Sequence, residues 1–319
     1  MAVLDFNLER DVPDLTGKVI LVTGDSVLTL PLHIGTAGLG SASVALLAKR
    51  NPLRIYITGR NATAAEGVVE KVRRESPESK TDIQFVKCDQ ANLSSVKEAA
   101  ESILARESRL DILMANAGVM ATPPGLTANG YEVQFGVNHV GHALLIRKLL
   151  PLLEKTAAQP GSDVRIVILT SLGFMMAPRR TGIAFDELRT TQNYWILGPW
   201  QRYGQSKLAN ILYTRELARR YPNITTVVIH PGTTPTNIIG SLSLKNRFIV
   251  WLGNIGKYQT VEQGPWNQVW ATGSDKVVSG HFYQPVGVDS ENILTPHALD
   301  PKLAEKLWDW TEKEIELYL

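Results

Sequence analysis

The stretch Lys18-Val-Ile-Leu-Val-Thr23 predicts the fold more directly than any other part of the chain. An apolar, β-branched run of this length is typical of a strand that is buried in a parallel sheet. Residues 40–50 follow as a predicted helix whose apolar side is formed by Val44, Leu46, Leu47 and Ala48. A buried strand that leads into such a helix predicts the first half of a βαβ unit.

The same alternation continues along the 319 residues. Further strands are predicted at 54–58, 83–87, 110–115, 164–171 and 225–230, and helices at 62–75, 94–106, 133–155, 201–220 and 301–319. A strand and a helix in turn about every 30 residues predict an α/β fold with a doubly wound parallel sheet and helices on both faces. We find no linker that would divide the chain, and therefore expect one Rossmann-type domain.

The composition of the chain limits which binding partners and which cellular compartment we expect. The 33 basic and 31 acidic residues nearly cancel, which gives no reason to expect a nucleic-acid partner. Cys88 is the only cysteine, so an intrachain disulfide is excluded and a reducing compartment is expected. The acidic first residues do not resemble a signal peptide, and no apolar run reaches the roughly 18 residues of a membrane span. We therefore expect a cytoplasmic protein.

Polar and small residues follow the predicted strands, at the edge where such folds bind ligands. After the first strand comes Gly24, and the glycine-rich turn Gly35-Thr-Ala-Gly38-Leu-Gly40 opens the next helix. Glycines allow a pyrophosphate to approach the backbone, and the free N–H groups of a helix N-terminus attract it. The predicted phosphate-binding residues are Gly24, Thr36, Gly38, Leu39 and Gly40.

The second strand ends at Thr58-Gly-Arg60. An NAD site would hold an acidic residue here for the ribose 2′-hydroxyl, but none lies between Leu53 and Asn61. Arg60 suits a 2′-phosphate instead, so NADP(H) is the predicted cofactor. The alternative is that Arg60 is a solvated loop charge.

The remaining strand ends supply further candidate cofactor contacts. Asp89 could accept from an adenine amine, and the small residues of Asn116-Ala117-Gly118 would let a ribose approach closely. The turn after the sixth strand offers a binding surface for a carboxamide or phosphate through Pro231, Gly232, Thr234 and Thr236. His139 and His142 have the spacing of two metal ligands, but no third ligand accompanies them, so we predict packing roles and no metal site.

The motif Tyr203-Gly-Gln-Ser-Lys207 places a tyrosine and a lysine on one face of the predicted helix 201–220. A free phenol has a pKa of about 10 and is a poor proton shuttle at neutral pH. A fixed ammonium beside it favours the phenolate, so Lys207 is predicted to lower the pKa of Tyr203. By itself this spacing is weak evidence for a site, because a Tyr and a Lys four residues apart usually lie on a solvent-exposed helix surface. The polar residues that follow successive strands make a catalytic interpretation stronger.

Together these motifs resemble the short-chain dehydrogenase/reductase family over about residues 16–283. Within the family, Phe135-Gly-Val-Asn-His-Val-Gly-His142 and Tyr203-Gly-Gln-Ser-Lys-Leu-Ala-Asn210 look like the retinol dehydrogenase and protochlorophyllide reductase-like branch. The run Ala209–Tyr221 and the ending Gly280–Gly287 look fungal, and secondary metabolism is the expected context. The resemblance implies an NADP(H)-dependent oxidoreductase that interconverts a carbonyl and an alcohol.

The resemblance also implies the catalytic roles. Tyr203 would exchange a proton with the substrate oxygen, and Lys207 would lower the pKa of Tyr203 and hold the nicotinamide ribose. Ser171 would hydrogen-bond the developing alkoxide, and Asn138 would anchor a water that relays protons to Lys207. For Asn138 a helix-kink or capping role is the alternative. Packing of the helices that carry Asn138 and Tyr203 into a homo-oligomer would be usual for the family.

One departure from the family pattern is large. Residues 25–34 interrupt the glycine motif, and their removal leaves Thr-Gly-Gly-Thr-Ala-Gly-Leu-Gly, a complete match. A splicing or gene-model error, a real insertion that leaves binding intact, and a variant with impaired cofactor binding are three explanations. The last would make the protein a non-catalytic family member.

A substrate lid is expected at about 238–260, after the Pro231-Gly232 turn. Its apolar residues Phe248, Ile249, Trp251 and Leu252 favour an apolar ketone, aldehyde or alcohol as the substrate. Lys245 and Arg247 lie in the same stretch, so contact with a membrane surface is the alternative.

Overall fold

Eight strands of the described chain form one sheet in the computed structural model, which describes residues 5–24, 38–234 and 259–319. The strand order is β3-β2-β1-β4-β5-β6-β7-β8, with parallel pairing throughout except for the antiparallel pair β7–β8. The predicted doubly wound α/β fold is thereby confirmed. The strands are β1 (Val19–Thr23), β2 (Arg54–Gly59), β3 (Asp82–Lys87), β4 (Ile112–Ala115), β5 (Arg165–Leu169), β6 (Thr225–Ile229), β7 (Phe282–Gln284) and β8 (Val288–Asp289).

Helices cover both faces of this sheet. They are α1 (Leu8–Asp11), α2 (Leu39–Ala48), α3 (Ala62–Glu75), α4 (Leu93–Leu104), α5 (Val133–Phe135), α6 (Gly141–Ala157), α7 (Gly198–Arg220), α8 (Trp266–Ala271) and α9 (Pro301–Ile315). The π turn Gly136–Val140 joins α5 to α6. Short 3₁₀ helices lie at Leu172–Met176, Phe185–Glu187, Glu291–Ile293, Pro296–Leu299 and Glu316–Tyr318. None of the helices in the described ranges combines the length and the apolar content needed to cross a bilayer.

The alternation of side chains along the strands divides the core into two halves. In β1, Val19 and Leu21 pack with α4, α6, α7 and α9, whereas Ile20 and Val22 pack with α2, α3 and α8. All five residues of β1 are buried, because successive side chains of a strand point to opposite faces. This explains the continuous apolar run that the sequence shows at 18–23.

Some elements differ from the sequence prediction. The predicted helix 133–155 is interrupted by the π turn, and the long helix predicted from 201 begins at Gly198, where Leu197 in the left-handed region and a proline start it. The short elements α8, β7 and β8 were not predicted. The interrupting residues 25–34 lie outside the described residues, as does the expected lid at 238–260 apart from its last two residues.

Helix α9 covers the outer face of α6, α7 and the π turn. The ring of Trp308 stacks on that of Tyr213 with the centroids 5.1 Å apart, and His139 Nε2 lies 2.9 Å from Thr311 Oγ1. Leu303, Leu307 and Ile315 are buried on the same side of the helix. The residues that follow the last strand therefore complete one half of the core.

A buried carboxylate joins the amino ends of β1 and β4. Val19 N–H donates to Asp111 Oδ2 at 2.9 Å, Arg109 donates to both carboxylate oxygens at 2.9 and 2.6 Å, and Lys18 Nζ lies 3.1 Å from Oδ1. Burial acts to raise the pKa of Asp111, but Arg109, Val19 N–H and Lys18 hold it below its ordinary value. The carboxylate is therefore ionised at neutral pH and fixes the spacing of these two strands.

The substitution Asp111→Asn should lower the free energy of unfolding by about 1–3 kcal/mol at neutral pH, because charge-assisted hydrogen bonds are lost. Since the folded pKa is depressed, this contribution is present above the unfolded pKa of about 4 and is lost as the pH falls through the folded value. Urea unfolding at neutral and at acidic pH measures both effects.

The matched control is Asp5→Asn, which removes an exposed carboxylate from the exposed Arg10. It should cost no more than about 1 kcal/mol. Equal losses in the two variants, or a difference that grows in acid, would contradict the assigned role of Asp111.

Candidate active site

A cleft of about 560 Å³, open to solvent, lies at the carboxyl edge of the sheet. The strand order reverses between β1 and β4, and such a switch point leaves a crevice in which open α/β folds bind ligands. Residues from several predicted motifs meet there. The lining residues are Gly38, Leu39, Asn116, Gly118, Val119, Met120, Leu169, Thr170, Tyr203, Lys207 and Pro231.

Tyr203 projects from the buried helix α7 into this cleft. Its side chain is only 8% exposed and hydrogen-bonds to Ser171, and Trp200 packs edge-on against its ring with the centroids 6.4 Å apart. Burial raises the pKa of Tyr203 to about 12, although the hydrogen bond to Ser171 acts to lower it. The phenol is therefore protonated at neutral pH.

Lys207 lies one helical turn after Tyr203, with Nζ 5.8 Å from the centroid of the tyrosine ring. The ammonium donates to the carbonyl oxygen of Leu169 at 3.1 Å, and burial lowers the pKa of Lys207 to about 8. The sequence predicts that Lys207 lowers the pKa of Tyr203, but in this arrangement desolvation dominates and raises it. The two side chains are close, yet the phenolate is not the favoured form.

Asn138 lies in the π turn and holds the chain that follows β4. Its Oδ1 accepts from Val119 N–H at 2.8 Å, and its Nδ2 donates to the Val119 carbonyl at 3.0 Å and to Ser206 Oγ at 2.9 Å. Asn138 thus hydrogen-bonds both backbone groups of Val119, which lines the cleft, and connects Val119 to α7 through Ser206. The kink alternative agrees with this position, and the expected water relay stays a prediction.

Ser171 ends the β5 segment and caps the 3₁₀ helix Leu172–Met176. Its Oγ accepts from Gly173 N–H at 3.1 Å as well as bonding to Tyr203. A Cβ atom at Gly173 would lie 2.7 Å from Tyr203 Cε1, which is closer than atoms can pack. Gly173 therefore makes room for the tyrosine ring, a role that the sequence analysis did not identify.

The end of β1 and the start of α2 are fitted closely to the end of β4. Thr23 Oγ1 accepts from the backbone N–H groups of Asn116 and Ala117 at 2.8 and 2.9 Å, and Asn116 Nδ2 donates to the Thr23 carbonyl at 2.8 Å. A Cβ at Gly40 would lie 2.5 Å from Asn116 Nδ2, so only glycine lets α2 approach this closely. The N-terminus of α2 is thus brought to the cleft.

That N-terminus offers backbone donors that no side chain of its N-cap residue occupies. Gly38 is the N-cap of α2 and makes no side-chain capping bond. Thr234 Oγ1, which lies near the Leu39 side chain at the start of α2, is buried and has no hydrogen-bond partner among the described residues. Free N–H groups at a helix start and an unsatisfied hydroxyl suit an anionic ligand with polar groups.

The other predicted contacts have different positions. Gly24 N–H donates to the Thr58 carbonyl at 2.7 Å, and Gly232, with φ of 91°, lies in the turn after β6. Arg60 and Asp89 are half-buried at the ends of β2 and β3 and do not line the cleft, and Asp89 Oδ1 accepts from Ala91 N–H. Thr36 and Thr236 lie outside the described residues.

Comparison with known proteins supports the resemblance inferred from the motifs. The family model for short chain dehydrogenase matches residues 18–180, just over half of the chain. The chain belongs to the short-chain dehydrogenase family. As a family member it is an oxidoreductase, and this family uses nicotinamide cofactors.

Relatives of this short-chain dehydrogenase occur among fungal and vertebrate proteins. It is 34% identical to the short-chain dehydrogenase/reductase drtF of Aspergillus calidoustus, over 95% of each chain. It is also 34% identical to human retinol dehydrogenase 14, over 94% of this chain and 87% of that protein. The predicted likeness to fungal and retinol dehydrogenase-like members is confirmed.

Solved structures share the fold. A crystal structure of an uncharacterized protein from Mycobacterium Paratuberculosis superposes with a TM-score of 0.71 at 25% identity and covers 98% of both chains. The NADPH-bound carbonyl reductase from chicken fatty liver gives a TM-score of 0.60 at 23% identity, over 86% of this chain and 99% of that one. At that identity the second likeness concerns the fold alone.

The described residues of this short-chain dehydrogenase fit a nicotinamide dinucleotide. The start of α2 suits a pyrophosphate, and the Thr234 hydroxyl, which has no partner among the described residues, suits a polar group of the ligand. Gly118 leaves space in front of Lys207, since a Cβ there would stand 3.7 Å from Lys207 Nζ and 3.1 Å from Asn138 Oδ1.

The apolar residues around Tyr203 were not predicted. Met120, Ala121, Met176 and Trp200 form a small apolar cluster with the tyrosine ring. They come from three separate segments, which are the loop after β4, the 3₁₀ helix Leu172–Met176 and the first turn of α7, and no single periodic pattern links them. Trp200 was expected only as part of a loop that borders the site, and it does border it, whereas Trp195 of the same loop is 95% exposed.

The substitution Gly173→Ala should lower kcat by about 10–100-fold, because the added methyl group displaces the Tyr203 ring from its position beside Ser171. The measurement is steady-state turnover of a carbonyl substrate, together with thermal unfolding to show that the fold is kept. The control Gly67→Ala on α3 meets open space and should keep kcat while raising stability by about 0.5–1 kcal/mol. Unchanged turnover in Gly173→Ala would show that the ring does not need this space.

Proposed function

We propose that this protein is an NADP(H)-dependent oxidoreductase that interconverts a carbonyl and an alcohol on an apolar small molecule. One observation carries the proposal: the hydroxyls of Tyr203 and Ser171 hydrogen-bond to each other beside a cleft that the uncapped start of α2 also lines. A proton donor, a second hydroxyl and an anion-binding helix end thus share one space. Carbonyl reduction needs these three elements together.

The chain's own residues would supply the proton and the positioning. Bound nicotinamide would supply the hydride for reduction or accept it in oxidation. Tyr203, whose phenol is protonated at neutral pH, would give its proton to the carbonyl oxygen, and Ser171 Oγ would donate a hydrogen bond to the same oxygen. Lys207 would place positive charge beside the phenolate that remains and so favour its formation.

The substrate class follows from the apolar cluster around Tyr203. Methionine side chains are flexible and polarisable, so Met120 and Met176 can adapt to apolar groups of different shape. Trp200 adds a flat apolar wall beside the reactive phenol. A charged metabolite would lose its hydration here without finding a counter-charge in the cluster, so an apolar aldehyde, ketone or alcohol is the better ligand.

The preference for NADP(H) is argued from Arg60, which lies at the end of β2, directly after Gly59. A guanidinium can hold a 2′-phosphate with charge-assisted hydrogen bonds, whereas an NAD site would hold an acidic residue at this strand end and none lies between Leu53 and Asn61 in the sequence.

The substitution Tyr203→Phe should lower kcat by at least about 100-fold, because the proton donor is lost. Binding of NADPH should persist, since the helix start and Thr234 are untouched. Turnover is followed with NADPH and a panel of apolar aldehydes and ketones, and NADPH affinity by calorimetric titration.

The control for this variant is Tyr213→Phe on the same helix. Tyr213 is buried, and its hydroxyl has no hydrogen-bond partner in the described part of the chain, so its removal should leave kcat unchanged. Near-parent turnover in Tyr203→Phe would remove Tyr203 from the mechanism. A parent protein that binds neither dinucleotide would instead favour the non-catalytic alternative.

The parent protein should bind NADPH more tightly than NADH by roughly 1.5–3 kcal/mol, the range of a charge-assisted contact. Arg60→Asp should abolish or invert this preference, because a carboxylate repels the 2′-phosphate and accepts from the ribose hydroxyls. Titration with 2′,5′-ADP and with 5′-AMP isolates the contribution of the phosphate. Arg74→Asp, at the exposed end of α3, makes the same change of charge and should keep the preference. Equal affinities for the two cofactors in the parent protein would show that Arg60 does not read the phosphate.

A further inference from the structure

His142 is buried inside α6 and is bonded on both sides of its ring. Nε2 lies 2.9 Å from Thr23 Oγ1 at the end of β1, and Nδ1 lies 3.1 Å from the carbonyl oxygen of Asn138 in the π turn. The ring is only 4% exposed. One imidazole therefore spans the distance between the strand that leads to the phosphate-binding turn and the turn that carries Asn138.

The direction of both hydrogen bonds follows from Thr23. Its hydroxyl oxygen already accepts two N–H groups, from Asn116 and Ala117, and these occupy both lone pairs. The hydroxyl proton must then be donated, and His142 Nε2 at 2.9 Å is a better acceptor position than the Met114 carbonyl at 3.4 Å.

Because Nε2 accepts from Thr23, the proton of the neutral ring is on Nδ1. This N–H can only donate, and it points to the Asn138 carbonyl. A charged ring would carry a proton on Nε2 as well and would lose the bond from Thr23. Burial lowers the pKa of His142 to about 4, with the hydrogen bond to Asn138 opposing and Lys207 adding to the effect, so the neutral ring is kept at neutral pH.

We propose that His142, held in its Nδ1-protonated form, is a positioning residue that sets the π turn and its Asn138 relative to the ends of β1 and β4. The proposal rests on the proposed function in so far as it concerns turnover. Its structural part, a single tautomer held between Thr23 and Asn138, does not depend on that function.

The effect on the cleft runs through Asn138. Its side chain holds both backbone groups of Val119, which lines the cleft, and bonds to Ser206 between Tyr203 and Lys207. A shift of the Asn138 backbone would therefore move the cleft wall against the helix that carries the proton donor. Such a misplacement affects the catalysed step more than the binding of an apolar substrate.

The tautomer can be observed directly in the unmodified protein. Nitrogen NMR of protein labelled only at histidine distinguishes a protonated from an unprotonated ring nitrogen, and the signal missing from His142→Gln identifies His142 among the six histidines. The expected result is a neutral ring with the proton on Nδ1 throughout mildly acidic to mildly alkaline pH. A ring protonated on Nε2, or one that exchanges between tautomers, would overturn the proposal.

Turnover of three variants tests the consequence. His142→Phe should lower kcat by about 10–100-fold while KM for the carbonyl substrate changes by less than about threefold. His142→Gln should recover most of kcat, because its amide can accept from Thr23 and donate to Asn138. The control His139→Phe, three residues away, removes the bond to Thr311 on α9 and should cost stability with little change in kcat.

Each outcome has one meaning. Similar kcat values for His142→Phe and His139→Phe, or no recovery in His142→Gln, would show that His142 only fills space. If His142→Phe does not fold, the proposal is still tested by the tautomer seen by NMR and by the kcat of the His142→Gln variant. If the parent protein does not bind NADPH, the proposed function is rejected, but the NMR result on the His142 tautomer is not affected.

Discussion

The hydroxyl of Thr23 holds the cleft open at the place where the sheet changes direction. The helices that follow β1 and β4 lie on opposite faces of the sheet, and short polar contacts connect the described ends of these two strands beyond their last ladder hydrogen bonds. Thr23 makes those contacts through Asn116 and Ala117, and Asn116 returns one to the Thr23 carbonyl. Because the contacts are local and directional, the crevice keeps a fixed width, and α2 can present its free N–H groups at one side of it.

The electrostatic character of the site depends on how deeply α7 is buried. Most of its residues from Trp200 to Leu217 are buried, including Tyr203 and Lys207. Burial disfavours the charged form of each, so it raises the pKa of Tyr203 and lowers that of Lys207, and the two values move apart. At neutral pH the phenol of Tyr203 is neutral, and Lys207, with a pKa of about 8, still carries most of its positive charge beside it, which favours the phenolate that forms when Tyr203 gives up its proton.

The sequence predicts local patterns well and tertiary consequences poorly. The run 18–23 and the motif of Tyr203 and Lys207 could be recognised because strand and helix periods place side chains without knowledge of the rest of the chain. The direction of the Tyr203 pKa shift could not, since it depends on burial by Trp200 and neighbouring loops. Strands β7 and β8 contain three and two residues, which is too short for a period to show. The hydrogen bond between His142 and Thr23 joins residues that are 119 positions apart in the sequence, so no local sequence pattern predicts it.

The position of α9 has a consequence for how the protein is made. Thr311 bonds to His139, the residue next to Asn138, and Trp308 stacks on Tyr213 of α7. During synthesis the ribosome releases the glycine turn, the π turn and α7 long before residues 301–315. Until α9 emerges, Tyr213 lacks the stacked ring of Trp308, and His139 lacks the bond to Thr311. The nascent chain thus holds Asn138, Tyr203 and Lys207 before it holds α9, the helix that covers the outer face of the elements on which these residues lie.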